Sequence, residues 1–266
     1  MGTAPLHQEE KLVTKQFEDQ LELYTSESTP EKSVVPFLVT PFFFRWLERE
    51  HEALQKQYPL TICEFGGGGG YQLKMIGDVA GQRATLYNAE LVGRYAGHQA
   101  SETVRFVQGS ILASGFADSA FDVVIARNVL HHLIGASLAQ TRHNQQHALE
   151  ELFRVTRPGG LILIQEQVNQ SPMACNALYH LSQTASNMDL RIESFEVTPN
   201  TIVAYMTRAQ LQAFCRQVIP ESHWLADQYQ RRDVALRWKL TLLMSNNGDA
   251  LIAMKKPLAD CGGDHD

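Results

Sequence analysis

The sequence predicts an α/β protein with a doubly wound, mostly parallel sheet of seven strands and helices on both faces. The first observation is that, after Pro59, short β-branched and aliphatic runs alternate with helix-length stretches. The second is that these runs are almost continuously apolar, which is typical of strands covered on both faces of a parallel sheet. The predicted strands are Leu60–Phe65, Ala84–Ala89, Thr103–Gln108, Phe121–Ala126, Leu161–Gln165, Val234–Met244 and Ala250–Met254. The helices predicted between the first five are Tyr71–Ala80, Leu91–Ala100 and Ser137–Thr156.

Two further helical regions accompany the predicted sheet. Residues 1–58 are expected to form a helical N-terminal extension or lid, with helices at Leu6–Tyr24 and Phe42–Gln57. Residues 59–258 form the main domain, which includes a helical cover within 167–233 after the fifth strand. The cover contains the predicted helices Pro172–Met188 and Thr207–Val218, and the second of these begins with a capping box of Thr207 and Gln210. Residues 259–266 are predicted to be a disordered tail.

Composition and charge restrict the classes of function. The chain has 266 residues, with 23 Lys or Arg and 29 Asp or Glu, so its net charge is −6. An acidic surface repels phosphate backbones and anionic lipids, so neither nucleic acid nor a membrane is the expected partner. The four cysteines show no CxxC spacing, no signal peptide is evident, and the apolar run Val34–Phe44 is too short to span a bilayer. We expect a cytoplasmic protein, and a monomer or a homodimer.

A run of five glycines, Gly66 to Gly70, follows the first predicted strand and precedes a helix. Backbone N–H groups in such a turn point toward a ligand, and the missing side chains allow close approach. No register of the run completes the G-x-G-x-x-G pattern of dinucleotide-binding proteins, and the Lys-Ser/Thr ending of a P-loop is absent. The pattern that fits is acidic-x-Gly-x-Gly-x-Gly, which starts at Glu64 and continues through Gly66, Gly68 and Gly70.

Four more segments follow in a characteristic order. Glu90 ends the second predicted strand, Gly109-Ser110 follows the third, Phe121 to Leu133 contains the fourth strand and its loop, and Arg157-Pro-Gly-Gly-Leu161 leads into the fifth. Together with the glycine loop, these segments resemble class I, Rossmann-like, S-adenosylmethionine-dependent methyltransferases over residues 60–166. The resemblance implies S-adenosyl-L-methionine as cofactor and S-adenosyl-L-homocysteine as product.

The resemblance also implies which residues would contact the cofactor. Gly66, Gly68 and Gly70 would give room to its methionine and ribose portions, and Glu64 would orient its amino-acid end. Glu90 would accept hydrogen bonds from the two ribose hydroxyls, as carboxylates do at the end of the second strand of nucleoside-binding folds. The remaining implied contacts are the backbone N–H of Ile111 at the adenine ring, Ser110 in place of the family's usual Asp, and Asn128 in the loop over the cofactor.

Candidate catalytic residues lie at the ends of the fourth and fifth strands. Methyl transfer from a sulfonium needs mainly positioning, and a base is required only when the acceptor arrives protonated. His131 or His132 could be such a base, and Glu166 is a further candidate. We expect in-line transfer driven mainly by proximity, with a structural role for the histidines. No metal site is expected, because His143 and His147 lack a third ligand.

The expected function is S-adenosylmethionine-dependent methylation of a small-molecule acceptor. Methylation of amino groups on DNA bases is disfavoured, because no Asn/Asp-Pro-Pro-Tyr motif follows the fourth strand. Two alternatives stay open. The same fold and cofactor could serve a biosynthetic reaction without methyl transfer, such as a cyclisation or a rearrangement, or the protein could be a non-catalytic regulator that binds S-adenosylmethionine.

Overall fold

A computed structural model describes residues 38–54, 59–190, 202–232 and 247–258, together with positions 11, 14, 15 and 18. The predicted helix Leu6–Tyr24, the predicted strand Val234–Met244 and the predicted tail 259–266 lie outside this description, wholly or for the most part. The described helices are α1 (Val39–Leu54), α2 (Tyr71–Ala80), α3 (Leu138–Val155), α4 (Pro172–Asn187) and α5 (Arg208–Val218). The described strands are β1 (Leu60–Phe65), β2 (Ala84–Glu90), β3 (Val104–Gln108), β4 (Phe121–Arg127), β5 (Thr156–Asn169), β6 (Met206–Thr207), β7 (Trp224–Arg231) and β8 (Asn247–Lys255).

The strands form one sheet in the order β3-β2-β1-β4-β5-β8-β7, and the two-residue β6 pairs with the end of β5. The first five strands in this order are parallel, while β8 is antiparallel to both β5 and β7. This confirms the predicted doubly wound, mostly parallel sheet. The chain reverses its direction of winding between β1 and β4, and in such sheets ligands bind in the crevice at the carboxyl ends of these strands.

Alternating side chains place one apolar core on each face of the sheet. On one face, Val123 and Leu163 pack with Phe43 of α1 and with α2. On the other, Val124 and Ile164 pack with α3 and α5. Each fully buried aliphatic or aromatic side chain contributes about 1.5–3 kcal/mol, so the two cores fix the central strands firmly.

Side chains at the helix ends define where several helices begin. The Ser137 hydroxyl accepts a hydrogen bond from the backbone N–H of Gln140 at the start of α3. The predicted capping box at α5 is confirmed, because Thr207 and Gln210 each bond to the other's backbone N–H. At α1, the Gln165 side-chain oxygen accepts from the N–H groups of Leu38 at 2.9 Å and Val39 at 3.3 Å. A residue of β5 thereby ties the first turn of α1 to the carboxyl end of the sheet.

Two predicted elements differ from the structure. The segment Leu91–Ala100 is no α-helix; it contains a 3-10 turn, Gly93–His98, because two glycines weaken helix formation and Gln99 bonds to the carbonyl of Tyr95. The predicted helical cover also contains a strand, β7. Its side chains are largely exposed and polar, as expected for an edge strand, so apolar periodicity did not reveal it.

None of the helices in the described parts of the chain is long and apolar enough to cross a bilayer.

Candidate functional site

The glycine loop joins β1 to α2 at the carboxyl edge of the sheet. Gly66, Gly68 and Gly70 have φ values of +67°, +53° and +70°, a left-handed conformation that costs other residues about 1–2 kcal/mol each. A Cβ on Gly67 would lie 2.6 Å from Asn88 Oδ1, so this side of the loop is filled. A Cβ on Gly68 would meet nothing closer than the Tyr95 ring at 3.7 Å. The space beside Gly68 is therefore uncrowded, because a Cβ there would sit in ordinary van der Waals contact with the Tyr95 ring without a clash.

Glu90 holds the middle of this loop. Its Oε2 accepts from the backbone N–H of Gly68 at 2.9 Å, and its Oε1 accepts from Val92 at 3.0 Å. The residue is buried, and burial raises the pKa of its carboxyl although the two amide hydrogen bonds oppose the rise. Each carboxylate oxygen has a second lone pair. The side chain can therefore shape the loop and still accept hydroxyl hydrogen bonds from a ligand.

Glu64 lies behind the loop as a buried carboxylate. Its Oε1 accepts from Gln72 Nε2 at 2.9 Å, whereas Oε2 has no hydrogen-bond partner among the described residues. Burial raises the pKa of Glu64 to about 7, and the Arg127 guanidinium only partly opposes this rise. A buried, incompletely satisfied carboxylate is costly unless a cation or a donor approaches it. The surroundings of Glu64 thus fit the positively charged amino end of a ligand.

The other residues implied by the family resemblance lie along the same edge. The Gly109 N–H donates to the Glu90 carbonyl, which brings Ser110 and Ile111 next to the end of β2. The Ser110 hydroxyl accepts from the Leu112 N–H at 3.0 Å, so its oxygen already serves a local turn. Asn128 has a φ of +56°, which asparagine tolerates, and its buried Oδ1 has no hydrogen-bond partner among the described residues.

His131 and Glu166 form a buried pair at the ends of β4 and β5. His131 Nδ1 lies 2.7 Å from Glu166 Oε2, and the other oxygen of Glu166 accepts from the Leu130 N–H at 2.6 Å. A carboxylate at Nδ1 holds a neutral imidazole in the tautomer that carries its proton on Nδ1. The lone pair of Nε2 is then the basic site of the ring. The sequence named both residues, and the structure brings them together.

His132 occupies a different environment. Its ring centroid lies 4.1 Å from that of His131, and the two ring planes are inclined by 43°. Burial, reinforced by the neighbouring His131, lowers the pKa of His132 well below its ordinary value. The imidazole of His132 is therefore neutral at physiological pH.

Several residues around the site were not singled out in the sequence. Asn88 and Gln99 both donate to the Gly68 carbonyl, at 2.8 and 3.1 Å. Gln72 bonds to Glu64, and Tyr205 stacks on His131. Asn88 could have been found from its sequence position, because a polar residue at a buried position of an apolar strand needs a specific partner. Gln99 and Tyr205 become visible only when distant segments meet, whereas Gln72 lies eight residues after Glu64 and contacts it once α2 has formed.

No group of three or more metal-ligating side chains is present within the described ranges.

Comparisons with known proteins agree with this geometry. A family model described as a methyltransferase domain matches residues 63–164, while no curated protein sequence matches the chain. The (4+2) cyclase SpnF is similar in structure, with a TM-score of 0.59 and 11% identity over 97% of this chain and 100% of its own. The arsenic(III) S-adenosylmethionine methyltransferase of Chlamydomonas reinhardtii has a TM-score of 0.54 and 14% identity over 76% of this chain. The present chain covers 65% of that algal protein.

A third similar structure is phosphoethanolamine N-methyltransferase 2 of Haemonchus contortus, in complex with phosphomonomethylethanolamine and S-adenosylhomocysteine. Its TM-score is 0.59 at 10% identity, over 95% of this chain and 61% of its own. These identities are low, so the likenesses show a shared fold. The fold is that of a doubly wound α/β protein with a glycine loop at the carboxyl edge of its sheet. Within it, residues 63–164 match the methyltransferase-domain family model, and the similar solved structures include an S-adenosylmethionine-dependent methyltransferase.

Proposed function

We propose that this protein transfers a methyl group from S-adenosylmethionine to a small-molecule acceptor in the cytoplasm. The observation that carries the proposal is the cradle at the carboxyl edge of β1 and β2. There the open side of Gly68, the Glu90 carboxylate bonded to the Gly68 N–H at 2.9 Å, and the unsatisfied Glu64 oxygen adjoin one loop. A ribose with two hydroxyls and an amino acid with an ammonium group match these features.

The proposed contacts assign one role to each group of residues. Gly66, Gly68 and Gly70 allow the ligand to approach the backbone, Glu90 accepts from the ribose, and Glu64 faces the ammonium group. The remaining proposed contacts come from Ser110, Ile111 and Asn128. When bound, the cofactor supplies an activated methyl group with a neutral thioether as leaving group. Alignment of acceptor and methyl group is expected to provide most of the rate, since effective molarities of 10⁵–10⁸ M are typical of well-oriented reactants.

The pair of His131 and Glu166 adds a means of removing a proton. An acceptor that arrives as a phenol, an alcohol, a carbon acid or an ammonium group must lose a proton during transfer. Because Glu166 holds Nδ1, the Nε2 atom of His131 is the proposed proton acceptor. Acceptors that are already deprotonated need no such step, and for these the proposed catalysis is by proximity alone.

The test is the formation of S-adenosylhomocysteine in the presence of candidate acceptors. A suitable set contains phenols, amines, carbon acids, thiols, arsenite and phosphomonomethylethanolamine, and methylated products are identified by mass. Acceptor-dependent product formation supports the proposal. Calorimetric titration with S-adenosylmethionine and S-adenosylhomocysteine, in the absence of any acceptor, tests the cofactor site separately.

The acidic net charge favours a small-molecule partner over nucleic acid, and the proposed assembly is a monomer or a homodimer.

One second candidate function is favoured by a specific observation. The structural likeness to the (4+2) cyclase SpnF covers 97% of this chain and 100% of SpnF. On this alternative, the cofactor site is retained and the reaction is a cyclisation or a rearrangement without methyl transfer. Conversion of a substrate that proceeds equally with S-adenosylmethionine or S-adenosylhomocysteine, without consumption of either, would identify it. Binding without any conversion would instead indicate a regulator.

A further inference from the structure

Residues 202–207, which we call the strap, connect the region of α4 to α5 across the turn that carries His131. The Val203 N–H donates to the Ser182 hydroxyl of α4 at 3.3 Å, and the Ala204 N–H donates to the His131 carbonyl at 2.9 Å. Ala204 is fully buried. The strap ends as β6, which pairs with the last residues of β5, close to Glu166 in sequence. The strap therefore lies against both elements of the histidine–carboxylate pair.

Two side chains of α3 fasten the strap and the histidine turn to one another. Gln145 Nε2 donates to the carbonyls of both Leu130 and Ala204, at 3.0 and 2.9 Å. Arg142 Nη2 donates to the Tyr205 carbonyl at 2.8 Å, and its Nη1 donates to Gln145 Oε1 at 2.7 Å. Gln145 is fully buried, so these bonds are shielded from competing water. One amide thus fixes the strap relative to the turn that carries His131.

This fixed backbone places the Tyr205 ring against the imidazole of His131. The two ring centroids lie 4.9 Å apart, and the planes are inclined by only 25°. Glu166 holds the ring at a single atom, Nδ1, so the plane of the imidazole can still change its orientation about that hydrogen bond. A flat neighbour packed against the face of the ring restricts this change. The His132 ring also lies against His131, at 4.1 Å, but it is tilted by 43°, so Tyr205 supplies the nearly parallel face that neither the carboxylate nor His132 provides.

We propose that Tyr205 is a positioning residue for His131, and that its ring, rather than its hydroxyl, fixes the plane of the imidazole and hence the direction of Nε2. The effect on turnover rests on the proposed methyltransferase function. The effect on the tautomer and order of the imidazole does not, because it concerns the protein without any acceptor. Two independent readouts follow from this difference.

The experiment compares Tyr205→Phe, Tyr205→Leu and Tyr205→Met with the parent protein, each saturated with S-adenosylhomocysteine for spectroscopy. Phenylalanine keeps the ring, leucine removes it, and methionine keeps apolar volume without a flat face. The first readout is the nitrogen NMR signals of the His131 imidazole, which report the tautomer and its exchange broadening. The second is kcat and KM with an acceptor that must lose a proton. Tyr87→Leu is the matched control, because this substitution removes an aromatic contact with Phe121 in β4, away from the pair.

We expect Tyr205→Phe to keep a single Nδ1-protonated imidazole and normal turnover. Tyr205→Leu and Tyr205→Met should show broadened or mixed tautomer signals and a kcat lower by about threefold to tenfold, with the KM for the cofactor unchanged. Tyr205→Met serves alone if the leucine variant does not fold. If the ring-free variants keep a single sharp tautomer, or if Tyr205→Phe loses as much turnover as they do, the inference is wrong. If no acceptor is methylated, the proposed function is wrong, and the NMR result alone decides whether Tyr205 positions the His131 ring.

Discussion

The backbone N–H of Gly68 donates to the Glu90 carboxylate at 2.9 Å, so the last residue of β2 holds the centre of the loop that follows β1. Asn88, two residues earlier on the same strand, donates to the Gly68 carbonyl at 2.8 Å. Both polar groups of one glycine are thereby fixed by one neighbouring strand. The conformation of the loop is thereby fixed by the protein itself, which would lower the entropy cost of binding a ligand there.

Replacement of Glu90 by alanine should weaken S-adenosylmethionine binding by about tenfold to a hundredfold. The carboxylate would contribute charge-assisted hydrogen bonds to the ligand, worth about 1.5–3 kcal/mol, and it also orders the loop. The dissociation constant of Glu90→Gln, which keeps one acceptor oxygen, should lie between those of the parent and of Glu90→Ala. Calorimetric dissociation constants measure the effect, and Glu150→Ala on the exposed face of α3 is the control. An unchanged constant for Glu90→Ala would remove Glu90 from the cofactor site.

Replacement of Glu64 by glutamine should stabilise the ligand-free protein above neutral pH. Burial raises the pKa of Glu64 from 4.5 to about 7, so the folded state disfavours the ionised form. The resulting loss of stability begins as the pH rises above 4.5 and is complete above about 7. Glutamine does not ionise, so the variant should gain about 1–3 kcal/mol at pH ~8 and almost nothing at pH ~4. Urea denaturation at both pH values measures this, and an equal gain at both would contradict the titration.

The same carboxyl group should make cofactor binding depend on pH. If the ionised form of Glu64 pairs with the ammonium group of S-adenosylmethionine, affinity in the parent should rise as the pH increases toward about 7 and then level off. Below that pH, binding should release a proton, which appears as a dependence of the calorimetric heat on the ionisation enthalpy of the buffer. Glu64→Gln should bind more weakly and lose this dependence. A parent protein without proton release would place the ammonium group elsewhere.

Replacement of Gly68 by valine should abolish cofactor binding through two effects that a matched variant separates. Valine would fill the open side of the loop and would also be strained at a φ of +53°. Gly81 has a φ of +58° and open space around its Cβ position, but it lies before β2, at the opposite edge of the sheet. Gly81, with a φ of 58° and a ψ of −137°, also strains a side chain, so Gly81→Val should lose stability and still bind normally. Equal loss of binding in both variants would attribute the effect to strain rather than to the cradle.

The consequence of removing the His131 imidazole should depend on the acceptor. With an acceptor that must lose a proton, His131→Gln should reduce turnover by about 10²–10⁴ while cofactor affinity stays within a few fold. With an acceptor that is already deprotonated, such as a thiolate, turnover should fall only a few fold, because proximity then suffices. Glu166→Gln should follow the same pattern to a smaller extent. Equal effects on both acceptor types would show that the histidine stabilises the loop and does not move a proton.

Replacement of Gln165 by alanine should loosen the start of α1. The side-chain oxygen accepts from the N–H groups of Leu38 and Val39, and these donors would lose their partner. Loss of a cap of this kind typically costs about 1–2 kcal/mol of stability. Hydrogen exchange at the first turn of α1 should accelerate, whereas Gln167→Ala, two residues further along the same strand, should leave it unchanged. Unchanged exchange in Gln165→Ala would show that packing alone holds α1.

The sequence predicted the strand order around the glycine loop well because its signals are local. Glu64 and the glycines lie within seven consecutive residues, and apolar runs reveal strands that are buried on both faces. The surroundings of His131 were less predictable, because their contacts join distant parts of the chain. The Gln145 side chain donates to the carbonyl of Ala204, 59 residues further along the chain, and no local pattern near either residue predicts this contact. The edge strand β7 escaped notice because solvent, rather than a second helix layer, covers much of it.

The length of β5 has a consequence for how such a protein can diversify. Glu166 follows directly on Gln165, the last residue of β5 that pairs with β4, and is itself opposite Ala250 of β8. Its position is therefore set by main-chain ladders within the sheet rather than by α4. Helices beyond Asn169 can be lengthened, shortened or exchanged without moving the carboxylate. The position of the carboxylate is thus set by the sheet, so the helices that follow β5 can vary in length while Glu166 stays in place.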